Sequence, residues 1–173
     1  MIPRAVLDAL ARADLPCIVY DGATVKQRAQ SAASLLDRYY FPVKACPEPG
    51  VVRAALATHC GLDLCSAGDL EIASAVGCPG DRWKFTSPCA DDRLLRRLCE
   101  AGAALDADSI EQALRWGSCG GKACGLRIAA RRTRALYGSK FGTPARDLGA
   151  AADRPADAGL SLEGLHLHDQ TDK

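Results

Sequence analysis

The 173-residue chain contains no apolar stretch that approaches membrane-spanning length. Its first residues carry Asp8 and Asp14 and lack an apolar signal core, so no export signal is read and the cytoplasm is the expected location. Basic excess is also missing. A net charge of +1 argues against a nucleic-acid partner. None of the nine cysteines has a neighbour at the two-residue spacing of a zinc knuckle. No metal site or disulfide framework is therefore expected, and most of the cysteines are read as small buried hydrophobes. No Gly-x-Gly-x-x-Gly turn follows the first strand, which weakens a dinucleotide-binding reading. Lysine is scarce, at six residues against sixteen arginines.

What is present describes a soluble globular protein with an ordinary core. Hydrophobic residues make up 48% of the chain and charged residues 25%. Strand and helix patterns alternate. Strands are expected at Cys17–Asp21, before Lys44, and near 61–66, 83–86, 103–107, 124–129 and 162–168. Helices are expected near Thr24 to Tyr39, from Pro47 and Pro49 to about His59, over 69–76 and 91–100, and from a Ser109 cap through Trp116. Residues 130–160 are read as loops with one short helix. From Lys44 onward the strands recur roughly every twenty residues, a spacing that argues for parallel strands covered by helices. An open doubly wound sheet and a (β/α)8 barrel both fit. Polar residues gather after the strands: Lys44, Ser66, Thr86-Ser87, Asp106 to Asp108, Arg127 and His168. In a barrel these ends share one face, which favours the barrel.

Lys44 carries the most information. It ends the apolar run Tyr39-Tyr40-Phe41-Pro42-Val43, which reads as a buried strand. Burial would disfavour its ammonium form, and a lysine amine so activated forms Schiff bases with carbonyl compounds. A strand-end lysine whose stem packs while its head reaches water is the plainer alternative.

The segments resemble one family in order. Phe41-Pro42-Val43-Lys44-Ala45-Cys46-Pro47-Glu48-Pro49 resembles the cofactor-lysine segment of fold-type III pyridoxal-phosphate decarboxylases, which act on diaminopimelate, ornithine and related amino acids. Asp63-Leu64-Cys65-Ser66-Ala67-Gly68-Asp69-Leu70 is similar to the family's Asp-x-x-Ser-x-Gly-Glu-Leu segment. Phe85-Thr86-Ser87-Pro88-Cys89, Leu105-Asp106-Ala107-Asp108-Ser109, Gly125-Leu126-Arg127-Ile128, Ser139-Lys140-Phe141-Gly142 and Gly164-Leu165-His166-Leu167-His168 follow. The resemblance spans residues 16 to 171. It implies an alanine-racemase-like (β/α)8 barrel that uses pyridoxal 5'-phosphate.

By position, the resemblance implies that Lys44 forms the Schiff base and that His168 stacks on the pyridine ring. Asp63, Asp69 and Arg127 would form a polar shell, and Thr171 would bind the phosphate where the family often has serine. Asp69 stands where the family usually has glutamate, and Asp169-Gln170-Thr171 lacks the family's glycine. Read without the family, Asp63 and Asp69 fit helix N-terminal caps, Arg127 a structural ion pair, and His168 a satisfied core histidine.

About six barrel strands are expected, short of the eight needed for closure, and the C-terminal β-domain is missing. Residues 1–21 are expected to be an N-terminal segment and strand that pairs with that β-domain, and residues 22–173 a partial barrel. The chain is expected to be the N-terminal portion of a lyase of amino-acid metabolism (lysine or polyamine biosynthesis), inactive alone and a homodimer when complete. Its partner would be a small amino-acid substrate, with neither nucleic acid nor membrane involved. An alanine-racemase-like enzyme and a non-catalytic cofactor-binding or regulatory barrel are the competing readings.

Overall fold

The computed structural model describes residues 3–13, 16–129 and 141–168. Its elements in chain order begin with α1 (Arg4–Leu10), α2 (Gly22–Ala33), β1 (Tyr40–Pro42), α3 (Pro49–Leu56) and β2 (Gly61–Leu64). They continue with α4 (Ala67–Ala75), β3 (Trp83–Phe85), α5 (Asp92–Glu100), β4 (Ala104–Ala107) and α6 (Ile110–Ser118). The last are β5 (Ala123–Ala129), β6 (Thr143–Pro144), α7 (Leu148–Asp157) and β7 (Ser161–Leu167). The helices begin where short polar side chains can accept from the first free backbone amides. Asp21, Ser66, Asp91 and Ser109 cap α2, α4, α5 and α6 in this way, and Pro49 opens α3.

Every strand pair is parallel. The sheet runs β1-β2-β3-β4-β5 in chain order, and β7 then joins β5. Ile128 stands opposite Thr143 of β6 and Leu167 of β7. A strand residue has one neighbour on each side, so β6 lies on the β4 side of β5, beyond the end of β4. It extends that column and adds no barrel stave. Six staves remain, the number the sequence implies, in an incomplete α/β barrel.

Strand side chains alternate between two faces. Leu62, Leu64, Trp83, Phe85, Leu105, Ala107, Cys124 and Leu126 face the helices and are buried with Val52, Leu95, Leu98, Ala113 and Trp116. The other face is the barrel interior. It carries Asp63, Lys84, Asp106, Gly125 and Arg127, whose strand neighbours stand in register across the sheet.

Several expectations are corrected. Cys17 to Asp21 form no strand: the segment is exposed, with Ile18 at 79%, and no strand among the described residues lies beside it to pair with. Asp21 instead caps α2, which ends at Ala33, well short of Tyr39. Only Cys60, Cys78 and Cys124 are buried. Cys17 and Cys89 are exposed and the other four half-buried, all nine as free thiols.

Candidate active site

Lys44 does not sit in the strand. Val43 ends the apolar run fully buried, and Lys44 lies in the 3-10 turn Val43–Ala45 just past β1, exposed. Desolvation, the argument for its nucleophilicity drawn from the sequence, therefore does not apply. What the turn provides is placement. A buried valine anchors the backbone while the amine stands at the C-terminal rim beside Asp63 and Cys65. Burial pushes the Cys65 thiol up and Asp63 adds to this, while Lys44, hydrogen-bonded to the thiol, pulls the other way. Burial likewise raises the half-buried Asp63 carboxyl above its ordinary value, with Lys44 and His166 the main opposing charges.

Asp69 is buried and engaged with backbone. Its carboxylate accepts from the Cys65 amide at 2.7 Å, while its own amide donates to Ser66 Oγ at 3.2 Å. This reciprocal cap at the start of α4 fixes the residue that touches Lys44, so Asp69 supports the lysine from one step away. Arg127 is held by Asp108, Nη1 to Oδ1 at 3.1 Å, and its guanidinium lies 5.0 Å from the centre of the Phe141 ring. The Gly142 amide donates to Asp108 Oδ2 at 3.2 Å. Gly142 has φ +82°, and a Cβ there would lie 2.7 Å from Ala129 N, so the turn that delivers this amide requires glycine. His168 is exposed just past β7. Thr171 lies outside the described residues.

Sequence reasoning missed the layer beneath the rim. Asp106 is buried on β4, and its Oδ2 meets both Lys84 Nζ at 2.9 Å and His166 Nδ1 at 2.8 Å. Burial alone would raise this carboxyl. Hydrogen bonds from His166 and Lys84, with their charges, outweigh it and hold the group below its usual value. The signal was there to read: Trp83-Lys84-Phe85 and Leu105-Asp106-Ala107 each set one charge between buried apolar residues, the mark of a strand with a polar inner face.

These features define an α/β-barrel portion with a solvent-accessible lysine at its C-terminal rim and an ion-paired floor. The family model described as "Pyridoxal-dependent decarboxylase, pyridoxal binding domain" matches residues 22–169, and the chain belongs to that family. It is 28% identical over 184 residues to a diaminopimelate decarboxylase of Deinococcus radiodurans, covering 95% of this chain and 46% of that protein. It is 28% identical over 137 residues to a lysine/ornithine decarboxylase of Selenomonas ruminantium, covering 75% of this chain and 34% of that protein. A crystal structure of a diaminopimelate decarboxylase superposes with a TM-score of 0.81 at 25% identity, over 96% of this chain and 42% of that one. The chain thus spans less than half the length of the relatives it matches.

Pyridoxal phosphate is the cofactor of this family's domain, and the residues present fit it. Its aldehyde needs an accessible primary amine, which Lys44 supplies. Its oxygens need donors. Thr86, two residues past Lys84 and so on the inner face, buries an Oγ1 that has no hydrogen-bond partner among the described residues.

Proposed function

We propose that this chain is the cofactor-binding portion of a decarboxylase acting on an amino acid such as diaminopimelate, ornithine or lysine, with Lys44 as the residue that attaches pyridoxal phosphate. The observation that carries the reading is the exposed Lys44 amine, fixed by buried Val43 beside the Asp63 carboxylate, inside the matched segment. When bound, the cofactor offers an aldehyde to amines and a ring that takes up the electron pair left as carbon dioxide departs. The protein's part is placement and charge. Asp63 lies within electrostatic reach of the Lys44 amine and draws it toward the floor. His168 presents an imidazole face at the same rim. The Arg127–Asp108 pair closes the site's far side, and the Thr171 hydroxyl serves the phosphate. Residues 1–21 are an N-terminal segment and residues 22–173 the partial barrel in this reading, and the exposed run 17–20 is where a β-domain of the complete protein would pair. The complete protein is a cytoplasmic homodimer in this reading.

Borohydride reduction after incubation with pyridoxal phosphate, followed by peptide mapping, tests it. A single reduced adduct on Lys44, lost in Lys44→Ala, is the expected result. Adducts scattered over the six lysines, or none, would overturn the assignment. Release of carbon dioxide from diaminopimelate, ornithine or lysine by the full-length gene product tests the reaction.

A further inference from the structure

We infer that Asp106 is a positioning residue that locks the register of β7 through His166 and thereby turns His168 onto the cofactor face. The importance of His168 rests on the proposed function. The lock itself rests on the ladder.

Residues opposite each other in a parallel pair share a face. Cys124 pairs with Leu162, but Gly125 pairs with Gly164, so Glu163 is an extra residue in β7. This bulge changes the strand's phase. Beyond it, Arg127 pairs with His166, and His166 points into the barrel. His168, two residues on, shares that face. An unbulged ladder would pair Arg127 with Leu165 and send both histidines outward, because a one-residue slip moves every side chain to the other face.

Among the described residues, packing does little to choose between these registers. Beyond the bulge, the outward side chains Leu165 and Leu167 are 65% and 67% exposed, so no described residue holds them outside by apolar burial. On the interior side the Asp106 carboxylate favours histidine. That buried carboxylate can only accept, so His166 Nδ1 carries the hydrogen in their 2.8 Å bond. The space is built for this. A Cβ on Gly125 would stand 2.2 Å from Asp106 Oδ1, so the carboxylate can lie there only against glycine.

NMR on the isotope-labelled chain gives the test. Cross-strand contacts between β5 and β7 report which residue faces Arg127, and ring nitrogen signals of only three histidines need assignment. In the wild type, Arg127 should contact His166, and His166 should show a hydrogen on Nδ1. Asp106→Leu should move the pairing by one residue, to Arg127 and Leu165. Deleting Glu163 in that background removes the extra residue and should restore the Arg127–His166 pairing without the carboxylate. Retention of that pairing in Asp106→Leu overturns the proposal. If Asp106→Leu does not fold, His166→Leu puts the same question from the other partner, and retention there overturns it equally. Borohydride trapping on the same samples stays separate. A wild type with the expected register and no Lys44 adduct refutes the cofactor reading and leaves the lock standing.

Discussion

Replacing Gly125 with alanine asks whether the interior carboxylate is as tightly placed as its surroundings imply. The new methyl would meet Asp106 Oδ1 at 2.2 Å and Asp106 Cγ at 3.2 Å, and Gly164 O closes the third side at 3.6 Å. The carboxylate is the end of a short side chain, but it is not loose, because Lys84 and His166 hold its other oxygen. Either the backbone of β5 shifts, at about 1–3 kcal/mol for overpacking, or the carboxylate swings away and gives up a charge-assisted hydrogen bond worth roughly 1.5–3 kcal/mol. Both routes give a loss near 2 kcal/mol. With a urea slope of roughly 2 kcal/mol per molar, the midpoint should fall by about 1 M. Asp106→Ala removes the clashing atoms. The double variant should therefore be less destabilised than the two singles together, with a coupling of about 1 kcal/mol or more. A Gly125→Ala protein whose midpoint stays within about 0.25 M of wild type, or a cycle that closes additively, would refute the claim that the carboxylate is wedged.

Stability should vary with pH in opposite senses at the two inner carboxylates. Asp106 is held below its unfolded value, so its ionised form stabilises the fold above roughly pH 4 and this is lost as pH falls through the depressed folded value. The deficit of Asp106→Asn in denaturant melts should shrink on acidification. Asp63 is raised, chiefly by burial, so its contribution is fully present below roughly pH 4 and is lost as pH rises through the folded value. Asp63→Asn should gain on wild type between pH 4 and 7, and a flat difference would contradict the burial argument. Thiol alkylation at pH 8, read by peptide mapping, should label exposed Cys17 and Cys89 first. Cys124, pushed up to about 11 mainly by burial with Asp106 adding to it, should be protected until the chain unfolds.

The architecture was legible because βα alternation leaves a regular spacing, and the strands from 61 to 129 lie close to where the pattern puts them. Cys17 to Asp21 has strand composition, but a strand needs a neighbour, and composition does not record one. Lys44 was legible as a rim residue but not as an exposed one, since the 3-10 turn that lifts it out of β1 has no marker in Pro42-Val43-Lys44. The role of Asp69 was half legible. Its spacing from Ser66 marks a cap, and only the fold shows that the cap steadies the residue beside Lys44. His166 was overlooked in favour of His168. Both lie on one face of β7, and it is a single bulge at Glu163 that turns this face inward.

The agreement between strand order and chain order bears on how the molecule is made. From β1 to β5 each new strand pairs with one about twenty residues upstream, so no stave waits long for its neighbour during synthesis. The sheet can grow at the pace of the ribosome, one βα unit at a time. The sixth described stave breaks that rhythm. His166 pairs with Arg127 across a gap about twice as long, spanning β6 and α7. Assembly of the rim that carries His168 thus waits longer than that of β1 to β5, and loop closure costs more there.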